Sequence, residues 1–234
     1  MITPTRSEML QMAKARANVY GLLAAVFREE PSAALLSSLS GPEFSAALKS
    51  LNLSLDEVTA AGSDKQIAED LALEYTRLFI GPGPRLSPHE SLHIEARFGE
   101  ENALWGPTTV AVKKFIEGAG LTIDETFDGM PDHISAEFEF MQQLLEKEAQ
   151  AWRDQEDALA ENILNIEKKF YDEHLSQWVC RFCDKTTAAA PHAFYKLFSA
   201  VTKSFVIFEE GTLKEIIDAA DLGQPLVIQP CPSA

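Results

Sequence analysis

The chain has 234 residues, enough for one large domain or two small ones with a substantial buried core. Lys and Arg total 20 against 36 Asp and Glu, a formal net charge of −16 and a pI near 4.7. So acidic a surface repels phosphate backbones and anionic headgroups, which counts against nucleic acid and membrane surfaces and favours a cationic peptide.

The periodicity is helical almost throughout. Ser7–Phe27 places Met9, Met12, Ala13, Tyr20, Leu23 and Phe27 at helical spacing, with Pro31 as a stop. Its apolar run Val19–Phe27 is followed by Arg28-Glu29-Glu30 instead of a small-residue cleavage site, so it does not read as a secretory signal. No stretch approaches the roughly 18 apolar residues that span a bilayer, and the expected location is cytoplasmic. Short helices are expected at Ala33–Leu39 and Glu43–Leu51, and a turn begins at Ser54. Ser63 or Asp64 then caps a longer helix to Phe79, with Ile67, Leu71, Tyr75, Leu78 and Phe79 on one stripe. A Pro/Gly-rich loop is expected over 81–106, and loops this long in a compact chain are usually functional or disordered. Helical pattern returns at Pro107–Ala119, with Asp124–Met130 as a linker behind it. Asp132 is the expected N-cap of a helix over His133–Trp152, whose buried stripe is Ile134, Phe138, Met141 and Leu145. Further helices fit Ala158–Tyr171, His174–Lys185 and His192–Glu209. A short one fits Thr212–Ala220, and a tail follows over 225–234. The expectation is therefore an all-α, single helical-bundle domain over 1–224. It contains subregions 1–80 and 107–224 joined by the loop.

Charge is concentrated between Pro131 and Leu175, where 12 acids face 4 bases. Such a stretch reads either as a solvated helical face or as a docking field for a basic segment. The three cysteines, Cys180, Cys183 and Cys231, are an odd count that suits reduced thiols. Cys180-x-x-Cys183 lies in a helical pattern without the βαβ setting of a redox motif or four zinc ligands, so the pair reads as packing.

Glu90-x-x-His93 is half of a di-iron carboxylate motif, and no second half accompanies it. No metal is assigned. Gly81-Pro82-Gly83-Pro84 lacks the spacing, the Lys and the amides of a phosphate loop. Asp132-His133 sets a carboxylate and an imidazole at a helix mouth. They could cap the helix, or hydrogen-bond an arginine or a peptide backbone. Tyr75, Leu78 and Phe79 are either core or the floor of a groove.

Two segments carry a resemblance. Leu78-Phe79-Ile80-Gly81-Pro82 runs on to Ser87-Pro88-His89-Glu90-Ser91, and Pro131-Asp132-His133 opens a helix through Glu137-Phe138. In this order they resemble the TorD/DmsD/NarJ family of chaperones for molybdenum oxidoreductases. Gly106 and Thr108-Thr109 also look similar to the family.

The resemblance implies a cytosolic, non-catalytic chaperone that binds the apo catalytic subunit of a molybdopterin oxidoreductase, or its twin-arginine leader. It would hold that client until cofactor is inserted. The implied peptide-binding residues are Tyr75, Leu78, Phe79, Pro88, Glu90, Asp132 and His133. Tyr75 stands where tryptophan is frequent, and Glu90 where some members carry an aromatic. The family also implies a monomer or a domain-swapped homodimer. No cofactor is expected beyond weak guanine-nucleotide binding known in some relatives. The rival reading is a small helical metalloprotein or enzyme using Glu90, His93 and His133.

Overall fold

The computed structural model describes residues 4–41, 56–59, 62–81, 85–94, 104–123 and 127–220. The helix expected at Glu43–Leu51, the start of the turn at Ser54, Pro82 to Pro84 and the 225–234 tail lie outside the described residues.

Helix α1 spans Arg6–Arg28 and opens on a capping box. Thr5 accepts the Glu8 amide, and the Glu8 carboxylate accepts the Thr5 amide at 2.7 Å. Ser32 caps α2 (Ala33–Leu39), and a single turn, α3, covers Asp56–Thr59. Ser63 caps α4 (Asp64–Tyr75), which widens at its end into a π turn over Thr76–Ile80. The Gly81 amide closes that turn on the Thr76 carbonyl at 2.6 Å. A Cβ on Gly81 would come within 3.1 Å of the same oxygen, so this close approach favours glycine.

A 3₁₀ turn at Glu90–Leu92 precedes α5 (Pro107–Gly118), which starts on a proline as the first-turn rule allows. Helix α6 (Ile134–Asp154) ends at Gln155 in the left-handed region, φ 64°. Helix α7 (Asp157–Phe170) passes through a second π turn, Tyr171–Leu175, into α8 (Ser176–Ala189). The expected break before His174 is thus a π turn, which lets Tyr171, His174 and Leu175 all stay buried. Helix α9 runs unbroken over Ala193–Ala220. The separate helix expected at Thr212–Ala220 is its last turns, because Leu213 and Ile216 continue its buried stripe.

Among the described residues there is no strand. The only β pairing among them is one isolated antiparallel bridge between His89 and His133. The architecture is all-α.

One hydrophobic cluster extends from Met9 to Ile216 and draws on both expected subregions. Its main seam is α1 against α6, flanked by α7, α8 and α9. Tyr20 of α1 sits between Phe138 and Phe205, ring centroids 5.7 and 4.8 Å away. Cys183 is buried and Cys180 half-buried, both free thiols. Burial pushes the Cys183 thiol up and keeps it unreactive.

Charge also enters this core. Arg16 of α1, 4% exposed, donates to Glu167 of α7 at 2.8 Å and to Glu209 of α9 at 2.9 Å, with Glu148 of α6 at 3.6 Å. Tyr20 Oη donates to Glu209, and Trp152 Nε1 to Glu148. One guanidinium therefore ties four helices together.

Candidate peptide-binding cleft

A cleft of about 390 Å³ lies where the ends of α1 and α4 meet the entrance to α6. Arg28 and Glu29 come from the end of α1, and Tyr75, Phe79 and Ile80 from α4 and its π turn. Pro88 and His89 come from the 85–94 segment. The approach to α6 supplies Phe127, Asp128, Gly129 and His133. An adjoining hollow of about 330 Å³ shares Arg28, Glu29, Tyr75 and Ile80 and adds Glu30.

The floor is aromatic. Phe79 packs against Tyr75 and Tyr195 at centroid distances of 5.1 and 5.6 Å. Tyr75 Oη donates to the carbonyls of Phe27 and Arg28, both at 3.2 Å, satisfying acceptors that the end of α1 leaves open. Burial lifts the Tyr75 phenol to about 12, so it stays a donor at any ordinary pH. Ile80 stands 57% exposed at the lip, an apolar contact offered to a ligand.

The 85–94 segment is far less irregular than its composition suggests. The Ile134 amide donates to the Pro88 carbonyl and the Glu90 amide to the Asp132 carbonyl, both at 2.9 Å. The Ser91 amide donates to Asp132 Oδ2 at 3.1 Å, and the Leu86 amide to the Leu78 carbonyl at 2.7 Å. Beneath it, Glu90 Oε2 meets His174 Nδ1 at 2.8 Å. Trp178 Nε1 donates to Glu137 Oε2 at 3.1 Å. Glu90 Oε1 and Glu137 Oε1 are both buried with no hydrogen-bond partner among the described residues. Burial and then the Glu90 charge hold the Glu137 carboxyl well above the usual carboxylate range, so Glu137 carries a proton.

Four of the seven expected residues, Tyr75, Phe79, Pro88 and His133, thus meet in the cleft. Leu78, Glu90 and Asp132 do not line it. Leu78 faces the core, while Glu90 and Asp132 are fully buried and build the scaffold that holds Pro88 and His89 against α6. Asp132 is not the cap of α6 either. His133 is, because Asp132 spends its carboxylate on the Ser91 amide while His133 Nδ1 accepts the Ser135 amide at 3.2 Å.

Nδ1 so engaged, a neutral His133 carries its proton on Nε2. Burial pushes its pKa from the ordinary 6.5 to about 3, with His89 and Arg28 adding repulsion. Burial also lowers His89, against the pull of Asp132. Both imidazoles are neutral near pH 7, and the formal charges around the cleft are Glu29, Glu30 and Asp128 against Arg28.

That corrects the expected docking field. Within Pro131–Leu175, the carboxylates of Asp132, Glu137, Glu148 and Glu167 are buried, so they are neither a solvated face nor a field. The acidic rim comes from outside that stretch. Arg28 and Phe127 also escaped the sequence reading. The signal for Arg28 was its place directly after an apolar helical run; Phe127 in a short linker gave none. His93, named in the metal reading, has Nε2 on the Ser87 carbonyl at 2.6 Å. Among the described residues no group of three His, Cys, Asp or Glu side chains could hold a metal ion.

A family model described as nitrate reductase delta subunit matches residues 41–184, which include every cleft element except the end of α1. The chain belongs to the TorD/DmsD/NarJ family of molybdoenzyme chaperones. It is 25% identical over 205 residues to the chaperone protein TorD of Shewanella loihica, covering 82% of this chain and 90% of that one. With the TorD of Shewanella oneidensis it shares 24% over 223 residues, 88% of this chain and 94% of the relative. The TorD of Vibrio cholerae is 19% identical over 216 residues, 90% and 97% of the two chains. The family consists of chaperones, so the chain is not an enzyme and the catalytic use of Glu90, His93 and His133 falls away. Among the described residues no helix is long and apolar enough to cross a membrane.

Proposed function

We propose that the chaperone binds the twin-arginine leader of an apo molybdopterin oxidoreductase in this cleft and holds the enzyme until its cofactor is inserted. The observation that carries the reading is the pairing of an aromatic floor, Tyr75 and Phe79, with an acidic rim, Glu29, Glu30 and Asp128. A leader joins a basic segment to an apolar one, and the two chemistries match in adjacent halves of one site. Apolar burial supplies affinity, while the rim steers approach and sets register. The neutral Nε2–H of His133 donates to a peptide carbonyl. Acting before export, the protein works on the cytoplasmic side, as a monomer or a swapped dimer.

Calorimetry with leader peptides of molybdoenzymes from the same genome tests this. Binding is expected to weaken with Arg→Ala leaders, with a Glu29→Gln/Asp128→Asn chaperone and with added salt. Absence of binding to any leader, alongside binding of mature apoenzyme, would move the contact to the enzyme body.

A further inference from the structure

We infer that Arg28 is an internal stand-in for the client's arginine, occupying the cation subsite of the cleft that the client's side chain must take over. This rests on the leader-peptide reading. Arg28 is the last residue of α1, the backbone turns extended at Glu29, φ −155°, and Arg28 lines the cleft. Its guanidinium lies 5.2 Å from the centroid of the Phe127 ring, and Nη1 donates to Glu139 Oε2 at 3.1 Å. An aromatic face with a carboxylate beside it is a recognition set for a guanidinium.

Phe127 is packed in place. Its ring lies so close over Gly129 that a Cβ there would come within 2.2 Å of it, and the His133 ring lies 5.5 Å away. The subsite is built, and its present tenant belongs to the chain itself.

Burial separates this arginine from Arg16. Arg16 is sealed in the core, whereas the Arg28 and Glu139 side chains keep 26% and 20% exposure. Water can therefore take over the Arg28 head group when it swings out. Glu29 and Glu30 follow it directly in sequence and can receive it. Competition of this kind sets a threshold. A lone basic residue in a passing peptide does not displace Arg28, whereas two adjacent arginines bring one guanidinium for the ring and a second for the acidic rim. The subsite thereby discriminates leaders from ordinary basic segments.

The test measures binding of N-acetyl-arginine-methylamide, of a leader with one arginine and of a leader with two, to wild type, Arg28→Gln and Arg28→Lys. Arg28→Gln is expected to bind the amide and the single-arginine leader about tenfold more tightly than wild type. The two-arginine leader should gain less. Arg28→Lys keeps the charge without the planar fork and should fall between. Adding Phe127→Leu to Arg28→Gln should cancel the gain. Unchanged or weaker amide binding by both Arg28 variants, with melting points at the wild-type value, would overturn the inference while leaving the leader reading intact. A gain for the amide with no leader bound by any protein would keep the subsite and remove the leader reading.

Discussion

Two buried polar clusters use the same side chains to different ends. In the first, Arg16 faces Glu148, Glu167 and Glu209 between α1, α6, α7 and α9. In the second, beneath the cleft, Glu90 meets His174, Glu137 accepts from Trp178 and Asp132 accepts a backbone amide, with no guanidinium joining them among the described residues. Each contains carboxyls that burial holds above their usual range, Glu148 and Glu167 in the first and Glu137 in the second. Among the described residues only the first has a permanent cation to offset the remaining charge. The core thus hangs on an ion, and the site scaffold on a proton and on amides. A charge that cannot leave suits a permanent tie, while a proton can be lost.

The largest break in this comparison is Arg16→Met. It leaves buried carboxylates uncompensated and should cost about 3–5 kcal/mol in urea denaturation at pH 7. Next comes one substitution made in both clusters. Glu209→Gln removes the charge that faces Arg16 and one of the two oxygens that accept from Arg16 and Tyr20, and should cost about 2–3 kcal/mol. Glu137→Gln replaces an acid that is already neutral, so it should lose no stability and should gain some at pH 7, where the unfolded acid ionises. Equal losses at the two positions would refute the proton on Glu137.

Stability against pH sharpens the contrast. His133, lowered to about 3, stabilises fully above its unfolded 6.5 and loses that contribution as pH falls toward 3. The loss is up to about 1.4 kcal/mol per pH unit. Glu137, Glu148 and Glu167 are raised, so their contribution is complete below the unfolded 4.5 and declines as pH rises. Stability should therefore peak between pH 4.5 and 6.5. His133→Asn should flatten the acid limb, and Glu137→Gln part of the alkaline one; a profile indifferent to both would contradict the assignment. The smallest loss is that of Tyr75→Phe, about 1 kcal/mol for the lost bonds to Phe27 and Arg28, read by the same denaturation.

The helices were legible because their signals are local. Thr5, Ser32 and Ser63 cap them, and stripes such as Ile134–Phe138–Met141–Leu145 repeat at helical spacing. The π turns were not, since an extra residue in a helix leaves the composition unchanged and only shifts the register of the turns beyond it. At the site, the motif positions identified the right segments but not each residue's duty. Glu90 and Asp132 were placed among the ligand contacts by the family resemblance, which marks a position without revealing its burial. Their burial depends on His174 and Ser91, remote in sequence from Glu90 and Asp132 respectively. Arg28 was hidden for the converse reason. Nothing near it in the sequence reveals that Phe127, about a hundred positions on, comes to lie under its guanidinium.

The core tie at Arg16 also fixes an order in time. Glu209, which it grips, is made nearly two hundred residues after it, so this tie cannot close until α9 has left the ribosome. The same helix ends in Arg28 and Glu29, two walls of the cleft. A nascent chain therefore carries those walls before the tie that steadies them, and α1 is fully held only once α9 has been made.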